Sequence, residues 1–257
     1  MSNSLSPAKD IYISANAGIA RRLEEDIHAI SVAAPIHQQP KATVVHVFSK
    51  SYSKPLHYRF CKRSFDIVFS AFILALGFLP ALILSLFIMK DTGGSPIYLS
   101  ERIGKNGRPF KILKFRTMVA DSDNLEKYFT PEQLEQWHKE HKVDDDPRIT
   151  KFGDRLRKTS IDELPQFVNV LFGQMSVIGP RAITEEELEY FGYSKEKLLS
   201  CPVGITGLWQ TGERNLATFE SGIRQEIELL YVEEAGFRTD TAIFFKTFKT
   251  IVERTGK

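Results

Sequence analysis

The sequence predicts a predominantly helical α+β protein, in which one membrane-entering helix precedes a domain of amphipathic helices with little β structure. Residues 65–90 are almost continuously apolar, whereas residues 91–257 alternate loops with amphipathic helices. Residues 1–55 show no sustained pattern and are expected to be poorly ordered. The chain therefore divides into an N-terminal extension (1–55), a membrane segment (56–90) and a C-terminal domain (91–257).

Composition and charge narrow the class of protein. The chain has 257 residues and a net charge of only +2, which argues against a nucleic-acid partner held by bulk positive charge. Its two cysteines, Cys61 and Cys201, have neither metal-site spacing nor an obvious pairing, so we expect a reducing, cytoplasmic setting. The opening residues MSNSLSPAKD lack a basic and then apolar pattern, so we expect no cleavable signal peptide.

The apolar segment FDIVFSAFILALGFLPALILSLFIMK is long enough to cross a bilayer. A straight helix over residues 65–89 would extend roughly 37 Å, which exceeds the roughly 30 Å hydrocarbon core. Pro80 removes a backbone hydrogen bond, and Gly77 weakens the same turn. These features predict a bend near Leu79 and Pro80.

Basic side chains lie on both sides of this segment. Loops rich in Lys and Arg stay cytoplasmic, so a helix that bends at Pro80 and returns would keep both flanks inside, whereas a kinked spanning helix would place one outside. The residues alone leave both arrangements open. The flanking charges are Arg59, Lys62 and Arg63 before the segment, and Lys90, Arg102, Lys105, Arg108, Lys111, Lys114 and Arg116 after it.

The segment RKTSIDELPQFVNVLFGQMSVIGPR, residues 157–181, predicts a helix with one apolar face. Its apolar residues recur at helical spacing from Leu164 to Phe172, and Gly173 is a natural stop. Ser160 and Glu163 have the spacing of a capping box, and a proline at position 165 suits a first turn. The spacing therefore places residues 162 and 163 at a helix start.

Two adjacent acids at this helix start, Asp162 and Glu163, have two interpretations. Acidic side chains are favoured at helix N-termini for purely structural reasons. The alternative is catalysis, because an aspartate can attack phosphorus to form a covalent intermediate. A neighbouring carboxylate can hold Mg²⁺ together with phosphate oxygens.

Several long motifs occur in one order along the chain. They are KRSFDIV, SERIGKNGRPFKILKFRTM, DPRIT, LRKTSIDELPQFVNVLFGQMSVIGPR and GITGLWQTGERN. From about residue 58 to the end, the chain resembles the bacterial sugar transferase family, the monotopic phosphoglycosyl transferases, in a small catalytic-core form.

The resemblance implies a reaction and its partners. Such enzymes transfer a sugar-1-phosphate from a nucleotide diphosphate sugar, usually a UDP-sugar, to a polyprenyl phosphate, usually undecaprenyl phosphate, and release UMP. The step begins the assembly of exopolysaccharide, capsule, O-antigen or glycoprotein glycans. It implies a re-entrant helix-break-helix, a cytoplasmic catalytic domain with amphipathic interface helices, and a place at the bacterial inner membrane. A homodimer is left open.

The resemblance also assigns residues. Asp162 matches the nucleophile and Glu163 its partner, with Mg²⁺ associated with the pair. Motif arginines correspond to Arg157, Arg181 and Arg214. The remaining substrate-binding candidates are Lys114 and Arg116, for a donor phosphate or a lipid headgroup, and Gln166 and Asn169, which line the site or face water.

Departures from the family pattern bear on substrate contacts. A Pro-Arg-Pro motif reads Pro180-Arg181-Ala182, an Arg-Pro-Gly motif reads Pro202-Val203-Gly204, and Glu213 replaces a glycine. The membrane break reads Leu79-Pro80 where the family has Ser-Pro. These changes leave open a second class, a membrane-tethered assembly protein with a degenerate site. A third class is a metal-dependent lipid phosphatase.

Two further helices are predicted near the middle and the end of the chain. TPEQLEQWHKEHK places Thr130 as a cap and Pro131 at the first helical position, and its histidines lack a third metal ligand. The C-terminal AIFFKTFKTIVERTG is apolar on one face with basic residues around it. It suits either a membrane surface or simple packing on the core.

Overall fold

The computed structural model describes residues 54–140, 143, 145–212, 219 and 222–252. The expected N-terminal extension, with the exception of residues 54 and 55, lies outside these residues, as do Glu213 and Arg214. Helices dominate the described residues, which confirms the predominantly helical prediction. In chain order they are α1 (Leu56–Thr92), α2 (Leu125–Tyr128), α3 (Pro131–Glu140), α4 (Lys151–Lys158), α5 (Gln166–Leu171), α6 (Glu185–Glu189), α7 (Lys195–Leu198), α8 (Ile223–Glu234) and α9 (Phe237–Val252).

The β structure of the described residues consists of two small sheets. β1 (Ile97–Ile103) and β2 (Pro109–Phe115) form an antiparallel hairpin in which Leu99 faces Leu113. β3 (Ser176–Ile178) and β4 (Gly204–Thr206) pair in parallel. An isolated bridge pairs Ile103, at the end of β1, with Ile183, in the segment that follows β3.

The parallel pair depends on close backbone approach. A Cβ atom added at Gly204 would lie 2.1 Å from the backbone nitrogen of Gly179. No side chain fits at that separation, so glycine is required at position 204. The altered motif Pro202-Val203-Gly204 thus retains the residue that the packing needs.

The membrane segment is the single long helix α1. It runs without interruption through Leu79 and Pro80 and ends at Gly93, whose φ of 70° is the left-handed conformation that glycine adopts easily. The helix break expected at Leu79 and Pro80 is therefore not an interruption of helical structure. Since a proline removes only one hydrogen bond, the neighbouring turns can stay helical on both sides of it.

One stripe of α1 contacts the domain along both halves of the helix. In the first half Asp66 and Phe69 pack against β3 and the main core, and in the second half Ala81, Leu84 and Ile88 pack near β2 and α4. The opposite side is apolar but exposed. Among the described residues, α1 is the one helix long and apolar enough to cross a membrane. Its exposed side chains include Val68, Phe72, Leu76, Phe78, Leu79, Leu82, Ile83, Leu86 and Phe87.

The N-terminal half of α1 is also fixed by polar contacts. Lys62 Nζ and Tyr58 Oη donate to Asp240 Oδ2 at 2.6 and 2.7 Å, and Tyr231 Oη donates to Asp240 Oδ1 at 2.8 Å. Arg63 donates to the carbonyls of Val170 and Leu171, at the C-terminal end of α5. A cation at this end of a helix is favoured by the helix dipole. These contacts connect the membrane helix to α5, α8 and α9.

The last helix, α9, packs on the core, which is one of the two arrangements predicted for it; the other, a place on the membrane surface, stays a prediction. Ile243 is buried in the main core, and the Phe244 ring lies 5.5 Å from that of Phe65 on α1. Phe245 and Phe248 remain exposed. The helix therefore packs on the core and also extends the apolar surface of α1.

The segment between α3 and α4, which precedes Asp162 and Glu163 in the chain, carries a buried arginine. The guanidinium of Arg148 lies 4.3 Å from the centre of the Phe129 ring and 4.5 Å from that of Trp137, and it binds both carboxylate oxygens of Asp146. Thr130 Oγ1 accepts from the backbone N–H of Gln133, so the predicted cap of α3 is confirmed. Arg148 thus holds α3 to the chain that leads into the site.

Candidate active site

A short turn between α4 and α5 presents the two adjacent carboxylates. α4 ends at Lys158, Ser160 takes a left-handed conformation with φ of 56°, and Ile161–Glu163 form one 3-10 turn. The expected capping box between Ser160 and Glu163 is absent, because Ser160 makes no capping bond in this conformation. α5 begins only at Gln166, so the carboxylates precede the helix rather than lying in its first turn. A capping box forms instead at Thr184 and Glu187.

Asp162 is the buried member of the pair, with 8% of its surface exposed. Burial, followed by the negative charge of Glu163, raises the pKa of the Asp162 carboxyl to about 6, against the opposing effects of Lys114 and Arg157. Glu163 is more exposed, and its Oε1 lies 3.1 Å from Lys114 Nζ. The two carboxylates therefore differ in environment and in charge partner.

Two predicted cations flank the pair. Lys114, on β2, forms the ion pair with Glu163. The guanidinium Nε of Arg157, on α4, donates to Thr117 Oγ1 at 2.9 Å. Burial lowers the pKa of Arg157, and the charge of Asp162 opposes that change. Both cations thus act electrostatically on Asp162, which is the arrangement expected around a phosphoryl group.

A pocket opens beside Glu163. It brings together three predicted site residues, Lys114, Gln166 and Arg181, with Glu163. The Gln166 side chain is buried, and its Nε2 has no hydrogen-bond partner within the described chain. The lining residues are Arg102, Ile112, Lys114, Glu163, Gln166, Arg181, Ala182, Gly204 and Ile205.

Two other predicted residues have structural contacts instead. Asn169 is fully buried and neither lines the pocket nor faces water. Its Nδ2 donates to the Lys111 carbonyl and to Gln174, and its Oδ1 accepts from the N–H of Leu113. A buried amide needs hydrogen-bond partners within the protein. The Asn169 amide finds them mainly on the backbone of β2 and so joins α5 to that strand.

Arg116 is likewise held away from the carboxylates. Its Nε donates to the Ser95 carbonyl at 2.8 Å, and its guanidinium lies 5.6 Å from the centre of the Tyr98 ring. It is not among the residues that line the pocket. Its role in binding a substrate stays a prediction, as does that of Arg214, which lies outside the described residues.

Arg181 is fixed through its backbone by a residue that the motifs did not indicate. Its N–H donates to Glu228 Oε2 at 3.2 Å, and Glu228 is only 1% exposed. Burial raises the pKa of the Glu228 carboxyl to about 7 despite the nearby charges of Arg224 and Arg181. Glu228 and Arg224 are four residues apart on α8, a spacing that places them on one helix face. That spacing was the one available sequence signal.

Trp209 supports the arginines of this region. Its ring centre lies 5.4 Å from the Arg181 guanidinium and 4.3 Å from that of Arg224. Arg224 also lies 3.8 Å from the Phe219 ring and 3.7 Å from Glu187 Oε1. The Trp209 ring therefore provides a face on which two cations pack.

The carboxylate pair fits a magnesium ion in its donor chemistry. Mg²⁺ usually takes one or two protein carboxylates and completes its shell with phosphate oxygens and water. A cation at Asp162 and Glu163 would relieve the repulsion that raises the Asp162 pKa. In the described part of the chain, no group of three or more His, Cys, Asp or Glu side chains converges as a metal site.

Comparison with known families identifies the chain. The model of the bacterial sugar transferase family matches residues 57–254, which include the membrane helix, the carboxylate pair and every predicted arginine. The chain belongs to the bacterial sugar transferase family. The resemblance based on the motifs is thereby confirmed.

Individual members of the family show how the lengths compare. A UDP-galactose-lipid carrier transferase of Erwinia amylovora is 42% identical over 201 residues, covering 77% of this chain and 42% of that protein. An undecaprenyl-phosphate galactose phosphotransferase of Salmonella typhimurium is 40% identical over 201 residues, which again cover 77% of this chain and 42% of that protein. The exopolysaccharide production protein ExoY of Sinorhizobium fredii is 41% identical over 74% of this chain and 84% of its own. The chain thus spans less than half of the longer relatives and most of the shorter one.

Proposed function

We propose that this bacterial sugar transferase moves a sugar-1-phosphate from a UDP-sugar to undecaprenyl phosphate and releases UMP. The observation that carries the proposal is the buried Asp162 beside Glu163, with Lys114 and Arg157 acting on it and a basic pocket adjoining it. Phosphoryl transfer needs mainly positioning and charge neutralisation, which this set of residues can supply.

In the first step, Asp162 attacks the β-phosphorus of the donor. A carboxylate oxygen forms the new P–O bond, while the bond from that phosphorus to the bridging oxygen breaks and its electron pair leaves with UMP. Bound Mg²⁺ would supply charge neutralisation of the diphosphate. Lys114 and Arg157 keep Asp162 available as a carboxylate, since both oppose the rise of its pKa.

In the second step, an oxygen of the lipid phosphate attacks the phosphorus held on Asp162. The aspartyl P–O bond breaks, and its electron pair restores the carboxylate. Two displacements suit this reaction because donor and acceptor are both anions and arrive from different phases. The products are the polyprenyl diphosphate sugar and a free enzyme.

The names of the relatives guide the choice of substrates. They include a UDP-galactose-lipid carrier transferase, an undecaprenyl-phosphate galactose phosphotransferase and an exopolysaccharide production protein. We therefore extend to this chain a UDP-sugar donor, an undecaprenyl phosphate acceptor and the first membrane step of exopolysaccharide, capsule, O-antigen or glycan assembly. UDP-galactose is the first donor to test.

The contacts of α1 support entry into the membrane and return to the same side. Asp66 and Ile88, which are 22 residues apart, would be about 33 Å apart in a straight helix, yet both contact one domain. A spanning helix would carry one of these contacts to the far side of the bilayer. We infer that the exposed middle of α1, around Pro80, lies in the bilayer and that the catalytic domain lies on the cytoplasmic face of the inner membrane.

The experiment that tests the reaction is UMP release without lipid. Enzyme with Mg²⁺ and UDP-galactose, or another UDP-sugar from a panel, should release about one equivalent of UMP, and undecaprenyl phosphate should restore turnover. Asp162→Asn should abolish the burst, with Asp123→Asn, at an exposed surface acid, as the matched control. Turnover by wild type with no burst would exclude the covalent route.

The same assay separates the other two classes. An assembly protein with a degenerate site would release no UMP from any donor in the panel. A lipid phosphatase would release phosphate from undecaprenyl phosphate when no nucleotide sugar is present. Neither outcome is expected here.

Membrane topology is tested by single cysteines at the two ends of α1. Arg59→Cys and Lys90→Cys, each made after replacing Cys61 and Cys201 with serine, should both resist a membrane-impermeant thiol reagent applied from outside the cell. Both should react after permeabilisation. Reaction of either one from outside would exclude re-entry.

A further inference from the structure

Arg102 is a pocket residue to which neither the motifs nor the proposed chemistry assigns a role. It lies on β1 and lines the pocket together with Glu163, Gln166 and Arg181. The one hydrogen bond that its side chain makes within the described chain is to the carbonyl of its neighbour Glu101, at 2.8 Å. No carboxylate of the described residues lies within ion-pair distance of its guanidinium.

Arg181, in the same pocket, also has no carboxylate partner for its side chain among the residues that the structure describes. Its guanidinium rests on the Trp209 ring, and its backbone, not its side chain, is bound by Glu228. In the described part of the structure, no ion pair involves this side chain. Most charged side chains as enclosed as these have a partner, so two unpaired guanidinium groups in one pocket require a reason.

The two arginines act on each other unfavourably. Burial lowers the pKa of Arg102, the carboxylate of Glu187 opposes this change, and the charge of Arg181, a smaller effect, lowers the pKa further. Bringing two like charges together without an intervening anion is costly, and a bound anion would remove that cost. Guanidinium groups form paired hydrogen bonds with phosphate oxygens, which makes phosphate the matching ligand.

Gln166 provides a third donor in this pocket. Its side chain is 2% exposed, and the Nε2 atom has no partner in the described chain. A buried amide N–H without an acceptor is unfavourable, because it has lost its hydrogen bond to water. A ligand oxygen in the pocket would satisfy it, and this observation is independent of the charges of Arg102 and Arg181.

We propose that Arg102, Gln166 and Arg181 form a subsite for the phosphate that leaves with the nucleotide, separate from the phosphorus that Asp162 attacks. This assignment rests on the proposed function. In a nucleotide diphosphate, the leaving phosphate is joined to the attacked phosphorus through one oxygen. A pocket that begins at Glu163 and continues to Arg102 and Arg181 therefore lies where that phosphate would be held. Charge that develops on it as the bond breaks would be neutralised there.

The composition of the pocket favours the nucleotide over the lipid as the source of this phosphate. None of its lining residues comes from α1 or α9, the two helices with extended exposed apolar surfaces. The lining comes from both sheets, the start of α5, the turn that carries Glu163, and the segment at residues 181 and 182. A polyprenyl chain would approach along the apolar helices instead.

Arg102→Gln and Arg102→Lys test the subsite, with Arg108→Gln as the matched control. Arg108 is an exposed arginine of the same hairpin turn and does not line the pocket. Binding of UMP and of uridine to each full-length variant is measured by calorimetry in detergent, and the UMP burst is measured by rapid quench. Arg102→Gln should weaken UMP binding about tenfold or more and leave uridine binding unchanged. It should also slow the burst, and Arg102→Lys should be intermediate.

Other results would overturn the subsite. If Arg102→Gln binds UMP as wild type does, Arg102 holds no nucleotide phosphate. If the variant instead raises the KM for undecaprenyl phosphate and leaves UMP binding unchanged, the phosphate site belongs to the lipid. If only the subsite assignment is wrong, wild type still shows the UMP burst and Arg102→Gln binds UMP as wild type does. If the proposed function is wrong, wild type itself shows no burst.

Discussion

The carboxylate of Asp66, on the membrane helix, accepts a hydrogen bond from the backbone N–H of Val177 at 2.9 Å. The same oxygen accepts from Ser176 Oγ at 3.1 Å, and Asp66 is 3% exposed. Since β3 leads directly into the segment that carries Arg181, the bond joins the membrane helix to the strand that positions a predicted substrate-binding arginine. These hydrogen bonds to β3 explain why an aspartate lies near the start of an otherwise apolar helix.

Asp66→Ala should lower the free energy of unfolding by about 2–3 kcal/mol, because it leaves a buried backbone N–H without an acceptor. Asp66→Asn, which keeps an acceptor oxygen, should cost less. The measurement is thermal unfolding in one detergent, with Asp123→Ala as the exposed control. Equal midpoints for Asp66→Ala and wild type would show that the contact contributes nothing.

The reaction should depend on pH through Asp162. Because its pKa is raised to about 6, only about one tenth of the enzyme would carry the reactive carboxylate at pH 5, compared with about nine tenths at pH 7. The burst rate at limiting donor should therefore fall about tenfold between these values. A rate that is flat from pH 7 to pH 5 would contradict Asp162 as a nucleophile with this environment.

Magnesium should shift that pH dependence if it binds at the carboxylate pair. A cation beside Asp162 favours its charged form, so raising the Mg²⁺ concentration should move the half-point of the burst rate to lower pH. Glu163→Gln, which removes one ligand, should weaken the response to Mg²⁺. A half-point independent of Mg²⁺ over a wide concentration range would place the metal elsewhere.

Asp162 should reduce stability at neutral pH. Its folded-state pKa lies above the ordinary value of 3.8, so stability falls as pH rises from about 4 to about 6. Asp162→Asn should therefore raise the free energy of unfolding at pH 7.5 by about 3 kcal/mol, and by much less at pH 4. Thermal unfolding at both values measures this. A variant that is less stable than wild type at pH 7.5 would refute the destabilising role.

Glu228 should act on the donor through Arg181. Glu228→Ala removes the acceptor of the Arg181 N–H and should raise the donor KM, whereas Glu228→Gln keeps an acceptor and should retain most activity. Because burial raises the Glu228 pKa to about 7, stability falls as pH rises from about 4.5 to about 7, and Glu228→Gln should stabilise the protein above pH 7. Equal donor KM values for Glu228→Ala and wild type would remove the positioning role.

Much of the local structure could be predicted from sequence because it depends on neighbouring residues. The apolar segment, the cap at Thr130 and the stop at Gly173 all follow from side chains within a few positions of each other. Position within the motifs was enough to bring Asp162, Glu163, Lys114 and Arg181 together as candidates. The capping box at Ser160 failed because the left-handed Ser160 turns the chain before α5 begins.

Contacts between distant segments could not be predicted in this way. Asn169 was expected to line the site or to face water, yet it meets β2, whose backbone takes two of the three hydrogen bonds of its amide, and Gln174 takes the third. Arg116 and Arg102 were equivalent as basic residues after the apolar segment. In the structure, Arg116 follows β2, donates to the Ser95 carbonyl and packs on Tyr98, whereas Arg102 lies on β1 and lines the pocket.

The sequence by itself determined the family, the carboxylate pair and an apolar segment of membrane length, since each depends on residue identity and order. Only the tertiary structure decided which cations reach the pair, and that Glu228 holds Arg181. It also showed that both halves of α1 contact one domain. The physical reason is that the burial of a side chain and the identity of its charge partners depend on the three-dimensional fold. They arise between residues as far apart in the chain as Asp66 and Val177, and no local pattern records them.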